Sequence, residues 1–117
     1  MVRIAVASTD GKLVNQHFGR TDKFYILDTD EELVDYEFIE ERHTKPVCYN
    51  GDHEQSQMKE SISKLSDCQY VIVSRVGMRA RNELETCGID VYEIPGIIEE
   101  SVNKLIRYIK VQKLLTL

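Results

Sequence analysis

The fold is decided by residues 69–94, which have the sequence QYVIVSRVGMRARNELETCGIDVYEI and predict a strand, a helix and a second strand in succession. The first strand is the short apolar run Tyr70–Val73, and the second runs from Ile89 to Ile94. Gly77 opens the helix, and Gly88 occupies the position of a left-handed C-terminal cap. The residues predicted to share the buried face of this helix are Val76, Ala80, Leu84 and Cys87. Such a unit predicts two parallel strands joined by a right-handed crossover.

The segments around this unit complete an α/β pattern. Val2–Ser8 predicts a leading strand, and Lys23–Asp28 followed by Leu33–Glu40 predicts an antiparallel hairpin. Apolar residues at helical spacing mark two more helices, one with Met58, Ile62 and Leu65 and a final one with Ile98, Val102, Leu105 and Ile109. The order is βββαβαβα, which predicts one α/β domain over residues 1–117, with a mixed five-stranded sheet and flanking helices.

Ligands of such sheets collect at the carboxyl ends of strands, where the winding direction changes. Here those ends are Ser8–Asp10, after the first strand, and Ser74–Gly77, after the fourth. We expect the loop Asn15–Arg20, with the sequence NQHFGR, to close over the same edge. Its His17 is a candidate metal ligand, because a neutral imidazole nitrogen is available near pH 7. The alternative is a structural histidine that hydrogen-bonds a turn carbonyl.

Composition limits the classes of partner. The formal net charge is −5 and the pI is near 5.2, which argues against nucleic-acid binding, because that binding needs a basic surface. No apolar run reaches the roughly 18 residues that cross a bilayer, and no signal-peptide pattern is present, so we expect a cytoplasmic protein without a membrane partner. The three cysteines are odd in number and widely spaced, which predicts reduced thiols. Cys68 and Cys87 are predicted to be core thiols.

An irregular segment is predicted from Glu41 to His53, which is longer than most connections in compact domains. We expect either a functional flap or disorder. The segment carries three potential metal ligands, His43, Cys48 and His53, without a recognised zinc spacing. Cys48 is the first candidate among them, because a thiolate is a soft ligand for iron. The alternative is an inert surface loop.

Motifs along most of the chain resemble the dinitrogenase iron-molybdenum cofactor biosynthesis family, of the NifX and NifB C-terminal type. They are Ile4–Ser8 followed by Gly11, His17–Arg20 with Phe24, Val71–Val73, Gly77 with Ala80 and Leu84, and Gly88–Val91. The resemblance implies a ribonuclease H-like mixed sheet and a protein that binds an iron–sulphur precursor of the iron-molybdenum cofactor. Because no radical-chemistry domain is present, we expect a carrier or accessory role without catalytic turnover. The expected partners are proteins that donate or accept the cluster, and the expected state is a monomer or weak homodimer.

The predicted site combines these motifs with the strand ends. His17 and Cys48 are the candidate metal ligands, since imidazole and thiolate both bind cluster iron. The candidate cofactor-binding residues are Ser8, Phe18, Gly19, Arg20, Arg75 and Gly77. Positive charge on the arginines, with Arg79 as a third, and the N–H groups at the helix start would balance an anionic cluster. The alternative is that the arginines are solvated side chains and that Gly19 and Gly77 are turn residues with positive φ.

Two other function classes stay open. The Ser8–Gly11 turn could bind a small anion or nucleotide in a sensing or interaction domain, although it has no glycine-rich phosphate motif. A metal-dependent nuclease is disfavoured, because that chemistry needs several carboxylates and the first strand has no acidic residue before Asp10. Asp28 is predicted to end a strand. The tail Val111–Leu117 is expected either to pack on the core or to form a partner surface.

Overall fold

The central strand β1 (Val2–Ala7) has an antiparallel neighbour on one side and a parallel neighbour on the other. The antiparallel side continues with β3 (Lys23–Thr29) and then β4 (Tyr36–His43). The parallel side continues with β5 (Tyr70–Val73) and then β6 (Asp90–Glu93). The resulting sheet has the order β4-β3-β1-β5-β6 and confirms the predicted mixed five-stranded sheet.

This computed structural model describes residues 1–30, 32, 35–46 and 54–116, with the side chains of residues 54–56 left out. Within these ranges, three helices cover the two faces of the sheet. One face packs against α1 (Glu54–Ser63) and α2 (Met78–Thr86), and the other packs against α3 (Ile98–Leu115). Successive side chains of a strand point to opposite faces. Accordingly, Ala5 and Ala7 belong to the first core and Ile4 and Val6 to the second.

A second, two-stranded sheet was not predicted. It pairs β2 (Leu13–Val14) with β7 (Gly96–Ile97) in antiparallel fashion. The backbone N–H of Ile98 donates to the carbonyl of Lys12 at 2.9 Å, which fixes the start of α3 beside the loop after β1. Gly96, which follows Pro95 just before α3, is therefore a strand-pairing residue.

The hairpin strand β4 differs from its prediction in both bounds. It runs from Tyr36 to His43, so the first three residues of the predicted irregular segment are strand. The pairing shifts between Ile26 and Leu27, which marks a bulge in the ladder. From Glu40 to Arg42 this exposed edge strand carries only charged residues, so the alternation by which the sequence predicts the strand stops at Glu40. Leu33, Val34 and residues 47–53, including Cys48 and His53, lie outside the described residues.

The ends of the helices bear on three further predictions. Gly88 has φ 79° and confirms the left-handed cap after α2. Cys87 is exposed rather than a core thiol, because it is the C-cap residue, where the chain leaves the helix. In α3 the side chains of Leu114 and Leu115 are exposed, so this part of the tail does not pack on the core. None of the helices described has both the length and the apolar character needed to span a membrane.

Candidate functional site

The carboxyl ends of β1 and β5 lie at one edge of the sheet, because these two strands are parallel neighbours. Ser8 follows β1, and Ser74, Arg75, Val76 and Gly77 follow β5. The structure therefore brings together the two strand ends at which the sequence predicts a site.

The loop with His17 docks onto the extension of β5. The N–H of Ser74 donates to the carbonyl of Gln16 at 3.0 Å, and the N–H of Phe18 donates to the carbonyl of Arg75 at 2.9 Å. These two bonds form an isolated parallel bridge between His17 and Arg75. The prediction that this loop closes over the edge is confirmed.

The side chain of Phe18 anchors the loop in the core. It begins a 3-10 turn, Phe18–Arg20, and its side chain is buried in the core against α1 and α2. Its ring centroid lies 6.0 Å from that of Phe24 in β3. Because the ring is enclosed by the core, the prediction that Phe18 contacts a cofactor with its side chain does not fit the structure. Phe18 holds its neighbours in place instead.

His17, Arg20 and Arg75 present exposed side chains at this edge. The two arginine side chains form no hydrogen bond or ion pair with another residue that the structure describes. Gly19 is half-buried within the turn. The edge thus combines one accessible imidazole with two accessible guanidinium groups, in an otherwise acidic chain.

The N-terminus of α2 is the fourth component of the edge. Gly77 is its N-cap, no side chain caps it, and its first turn has no acidic residue. The helix itself therefore supplies no charge that opposes its dipole, but the carboxylate of Glu93 accepts the N–H of Val76, next to the N-cap, at 3.1 Å. Gly77 has φ −74°, and among the described glycines only Gly11, Gly88 and Gly96 have positive φ, so the left-handed conformation considered for Gly77 and Gly19 is wrong.

The turn after β1 is closed by its own side chains. Ser8 is fully buried, and its hydroxyl accepts the N–H groups of Asp10 and Gly11. The carboxylate of Asp10 accepts the N–H groups of Lys12 and Leu13, which lowers the pKa of Asp10. These amides are not available to a bound anion. The predicted anion or nucleotide site at Ser8–Gly11 and the predicted cofactor contact of Ser8 therefore do not fit this geometry.

Among the described residues, His17 belongs to no group of three potential metal ligands. Over the ranges that the structure describes, no three His, Cys, Asp or Glu side chains form a group that could hold a metal ion. His43 lies on β4 rather than in a loop, with Nε2 3.6 Å from a carboxylate oxygen of Glu41. Cys48 and His53 belong to the part of the chain that is not described, so their predicted roles stay predictions.

The other two cysteines are separate from the edge. Cys68 is buried, and burial is the main cause that raises the pKa of its thiol to about 12. It therefore stays protonated and is a poor metal ligand. Cys87 lies at the opposite end of α2 from Gly77. The prediction of a core thiol is confirmed for Cys68 alone.

Sequence patterns missed the residues that fix the docked loop through their backbone or hydroxyl groups. Gln16 accepts the bond from Ser74, and the hydroxyl of Thr44 donates to the carbonyl of Thr21 at 3.1 Å. Thr21 and Thr44 are both buried. The sequence carries no signal for these roles, because a hydroxyl has to find a partner only once the fold has buried it.

Comparison with known proteins agrees with this arrangement. Residues 1–108 match the family described as dinitrogenase iron-molybdenum cofactor. The chain is 38% identical over 99 residues to the FeMo cofactor biosynthesis protein NifB of Chlorobaculum tepidum, covering 85% of this chain and 22% of that protein. It is 32% identical over 109 residues to the FeMo cofactor biosynthesis protein NifB of Frankia alni, covering 90% of this chain and 21% of that protein.

A solved structure has a similar fold. The crystal structure of PH0822 superposes with a TM-score of 0.67 at 25% identity, covering 90% of this chain and 88% of that one. The curated relatives are much longer proteins, of which this chain spans only about a fifth (22% and 21%). The match nevertheless extends over both strand ends, the docked His17 loop and most of α3. The chain therefore belongs to the dinitrogenase iron-molybdenum cofactor family.

Proposed function

We propose that this protein is a carrier or accessory protein that binds an iron–sulphur precursor of the iron-molybdenum cofactor as its cargo. Membership of the family supports a role in making this cofactor. In the proposal the cargo binds at the edge formed by His17, Arg20, Arg75 and Gly77. The protein performs no catalytic turnover, acts in the cytoplasm and exchanges the cluster with donor and acceptor proteins.

The observation that carries the proposal is an exposed His17 on a turn that is fixed from below. The ring of Phe18 is buried in the core and anchors the turn there, and the backbone bridge between His17 and Arg75 ties the turn to the extension of β5. These contacts fix the backbone of His17, so an imidazole at this position can bind cluster iron without a large loss of backbone entropy. Because it is exposed, a cluster bound to it stays accessible to a partner protein.

The charges at the edge fit an anionic cargo. Arg20 and Arg75 are exposed and unpaired among the described residues, and the N-terminus of α2 adds its dipole, which the Glu93 carboxylate on the N–H of Val76 partly opposes. The chain as a whole carries a formal charge of −5. A local positive edge on an acidic protein attracts a small anionic cluster while the surface repels larger polyanions.

A second protein ligand is proposed from the sequence alone. Cys48 would supply a thiolate, the usual ligand of iron–sulphur clusters. One imidazole and one thiolate are fewer ligands than a resident cluster has, which suits a cargo that has to leave. The cluster would then be held by few bonds and by charge.

Anaerobic reconstitution with ferrous iron and sulphide tests the proposal. We expect the protein to bind iron and sulphide in a fixed ratio and to give a broad visible absorption. The variant His17→Asn should weaken binding by about 10-fold or more, as loss of a ligand does, and leave the unfolding midpoint unchanged. The variant His43→Asn is the matched control, because it removes the exposed histidine of β4.

Two further pairs of variants separate the ligands from the charges. Cys48→Ser is compared with Cys87→Ser, which removes the exposed thiol at the far end of α2. Arg75→Ala is compared with Arg107→Ala on α3. We expect cluster affinity to fall by about 2- to 5-fold in Arg75→Ala and to stay unchanged in Arg107→Ala. The proposal is wrong if no cluster forms, or if His17→Asn and His43→Asn bind it equally well.

A further inference from the structure

A groove of about 850 Å³ lies on the α3 side of the sheet and is not part of the His17 edge. Leu27 of β3 and Ile98, the first residue of α3, form its buried floor. Leu13 and Ile97, paired across the small sheet, form one wall and are 41% and 51% exposed. The volume lies within the range of roughly 300 to 1,000 Å³ that is typical of small-molecule sites.

Aromatic rings form the opposite wall. Tyr25, Tyr36 and Phe38 line the groove, and the centroids of Tyr25 and Phe38 are 5.9 Å apart. The ring of Tyr25 is held by the loop after β1, because a Cβ atom on Gly11 would lie only 3.0 Å from it. Lys23 Nζ already lies over this ring, 5.5 Å from its centroid. Phe38, which is 56% exposed, and the half-buried Tyr36 remain as the rings that a ligand can contact.

The charged groups of the groove are mainly acidic. Its lining includes the carboxylates of Asp10, Glu41 and Glu99 and a single ammonium group, that of Lys12. Neither Asp10 nor Glu99 forms an ion pair with another residue that the structure describes. Burial, and secondarily the charge of Glu99, raises the pKa of the Tyr36 hydroxyl, which agrees with a negative potential inside the groove.

We propose that this groove binds a small organic cation with an aromatic or branched apolar body. The floor and the Leu13–Ile97 wall would hold the body of the ligand, because burying apolar surface is favourable. The rings of Phe38 and Tyr36 and the carboxylate of Glu99 would hold its positive charge. The inference does not depend on the proposed cluster function, since an anionic cluster would be repelled by this lining. A second copy of the chain is disfavoured for the same reason, because it would bring two acidic rims together.

Titration of ¹⁵N-labelled protein with benzyltrimethylammonium, followed by amide chemical shifts, tests the proposal. We expect saturable shifts at Gly11, Leu13, Phe38 and Ile97 at millimolar concentrations. Neutral benzyl alcohol should bind about 2- to 5-fold more weakly, because it lacks the cation–π contact, and anionic phenylacetate should not bind. Tetramethylammonium should also bind more weakly, because it has no aromatic body.

Two neighbouring acidic residues provide a matched pair of variants. Glu99→Gln should weaken benzyltrimethylammonium binding by about 2- to 5-fold. Glu100→Gln, in the same first turn of α3 but outside the groove, should leave it unchanged. Phe38→Leu keeps an apolar side chain but removes the ring, so its affinity for benzyltrimethylammonium should fall by about 2- to 5-fold.

Several results would overturn the assignment. They are equal binding of the cationic, neutral and anionic probes, an equal loss in Glu99→Gln and Glu100→Gln, and shifts confined to another part of the chain. The absence of saturable binding would have the same consequence. Sedimentation that shows a dimer, with groove amides shifting as protein concentration rises, would assign the surface to a second copy instead.

Discussion

Arg42 donates two hydrogen bonds to the carboxylate of Asp67, at 2.6 and 2.8 Å, and so joins the edge strand β4 to the turn before β5. Arg3 of β1 donates to the same carboxylate at 2.7 Å and to both oxygens of Asp28 in β3. Alternating guanidinium and carboxylate groups thus connect three strands on the face that packs against α1 and α2. The two bonds from Arg42, and then the bond from Arg3, hold the pKa of Asp67 well below its usual range.

This network makes stability depend on pH. A carboxyl group whose pKa is lowered by folding stabilises the fold above its unfolded pKa of about 4, and this contribution is lost as the pH falls through that value toward the folded one. Asp67→Asn should therefore lower the free energy of unfolding by about 1 kcal/mol near neutral pH, a figure reduced for its 44% exposed side chain. Urea unfolding at several pH values measures this.

The control for Asp67 is Asp90→Asn, which changes an exposed aspartate of β6. It should leave the free energy of unfolding within about 0.5 kcal/mol of the parent. If Asp67→Asn and the parent lose stability in parallel on acidification, Asp67 does not contribute to the pH dependence.

Phe18 should be essential for stability and His17 dispensable. Phe18→Ala removes a ring that is 2% exposed and should cost about 3 to 5 kcal/mol of unfolding free energy. Phe18→Leu keeps most of the apolar volume, so we expect a smaller loss and retained cluster binding. Thermal unfolding and anaerobic titration of both variants check this. A Phe18→Ala protein as stable as the parent would show that the turn is held by its backbone bonds alone.

Two glycines should respond differently to alanine. Gly11 has φ 74°, and a Cβ atom there would lie 3.0 Å from the ring of Tyr25, so Gly11→Ala should cost about 1 to 2 kcal/mol. Gly77 has φ −74° and open space around a Cβ atom, so Gly77→Ala should cost less than about 1 kcal/mol. Denaturant unfolding measures both. Weaker cluster binding by a stable Gly77→Ala protein would support a cargo contact at the start of α2.

We expect no metal-dependent nuclease activity. Two-metal phosphoryl chemistry needs several converging carboxylates, whereas Asp28 is paired with Arg3 and the carboxylate of Asp10 is bonded to the backbone of its own turn. Incubation with magnesium or manganese and labelled RNA, DNA and hybrid duplex is the direct assay. Cleavage that disappears in an Asp10→Asn variant would favour an enzyme over a carrier.

The sequence predicted the elements whose side chains have a strong period. The strand–helix–strand unit of residues 69–94 and the central β1 follow from apolar runs and from Gly88. The small sheet was missed, because two-residue strands have no period and Leu13 pairs with the distant Ile97. The bounds of β4 were wrong, because the exposed second half of this edge strand carries charged residues and does not alternate apolar with polar side chains.

The candidate site was predicted in part for a similar reason. Parallel strand order was enough to place the His17 loop near Ser74–Gly77. The burial of Phe18 and the internal bonds of Ser8 depend on packing and hydrogen bonds that form only in the folded chain. The aromatic groove was not predicted, because it combines residues from the loop after β1, the hairpin and the start of α3.

The sheet separates two cores, and this separation bears on how the molecule tolerates change. Phe18, which supports the His17 edge, belongs to the core with α1 and α2, whereas Leu27, at the floor of the groove, belongs to the core with α3. Substitutions in one core reach the other only through the strands between them. The two surfaces of this small domain should therefore be open to separate redesign, the groove through the α3 core and the His17 edge through the Phe18 core.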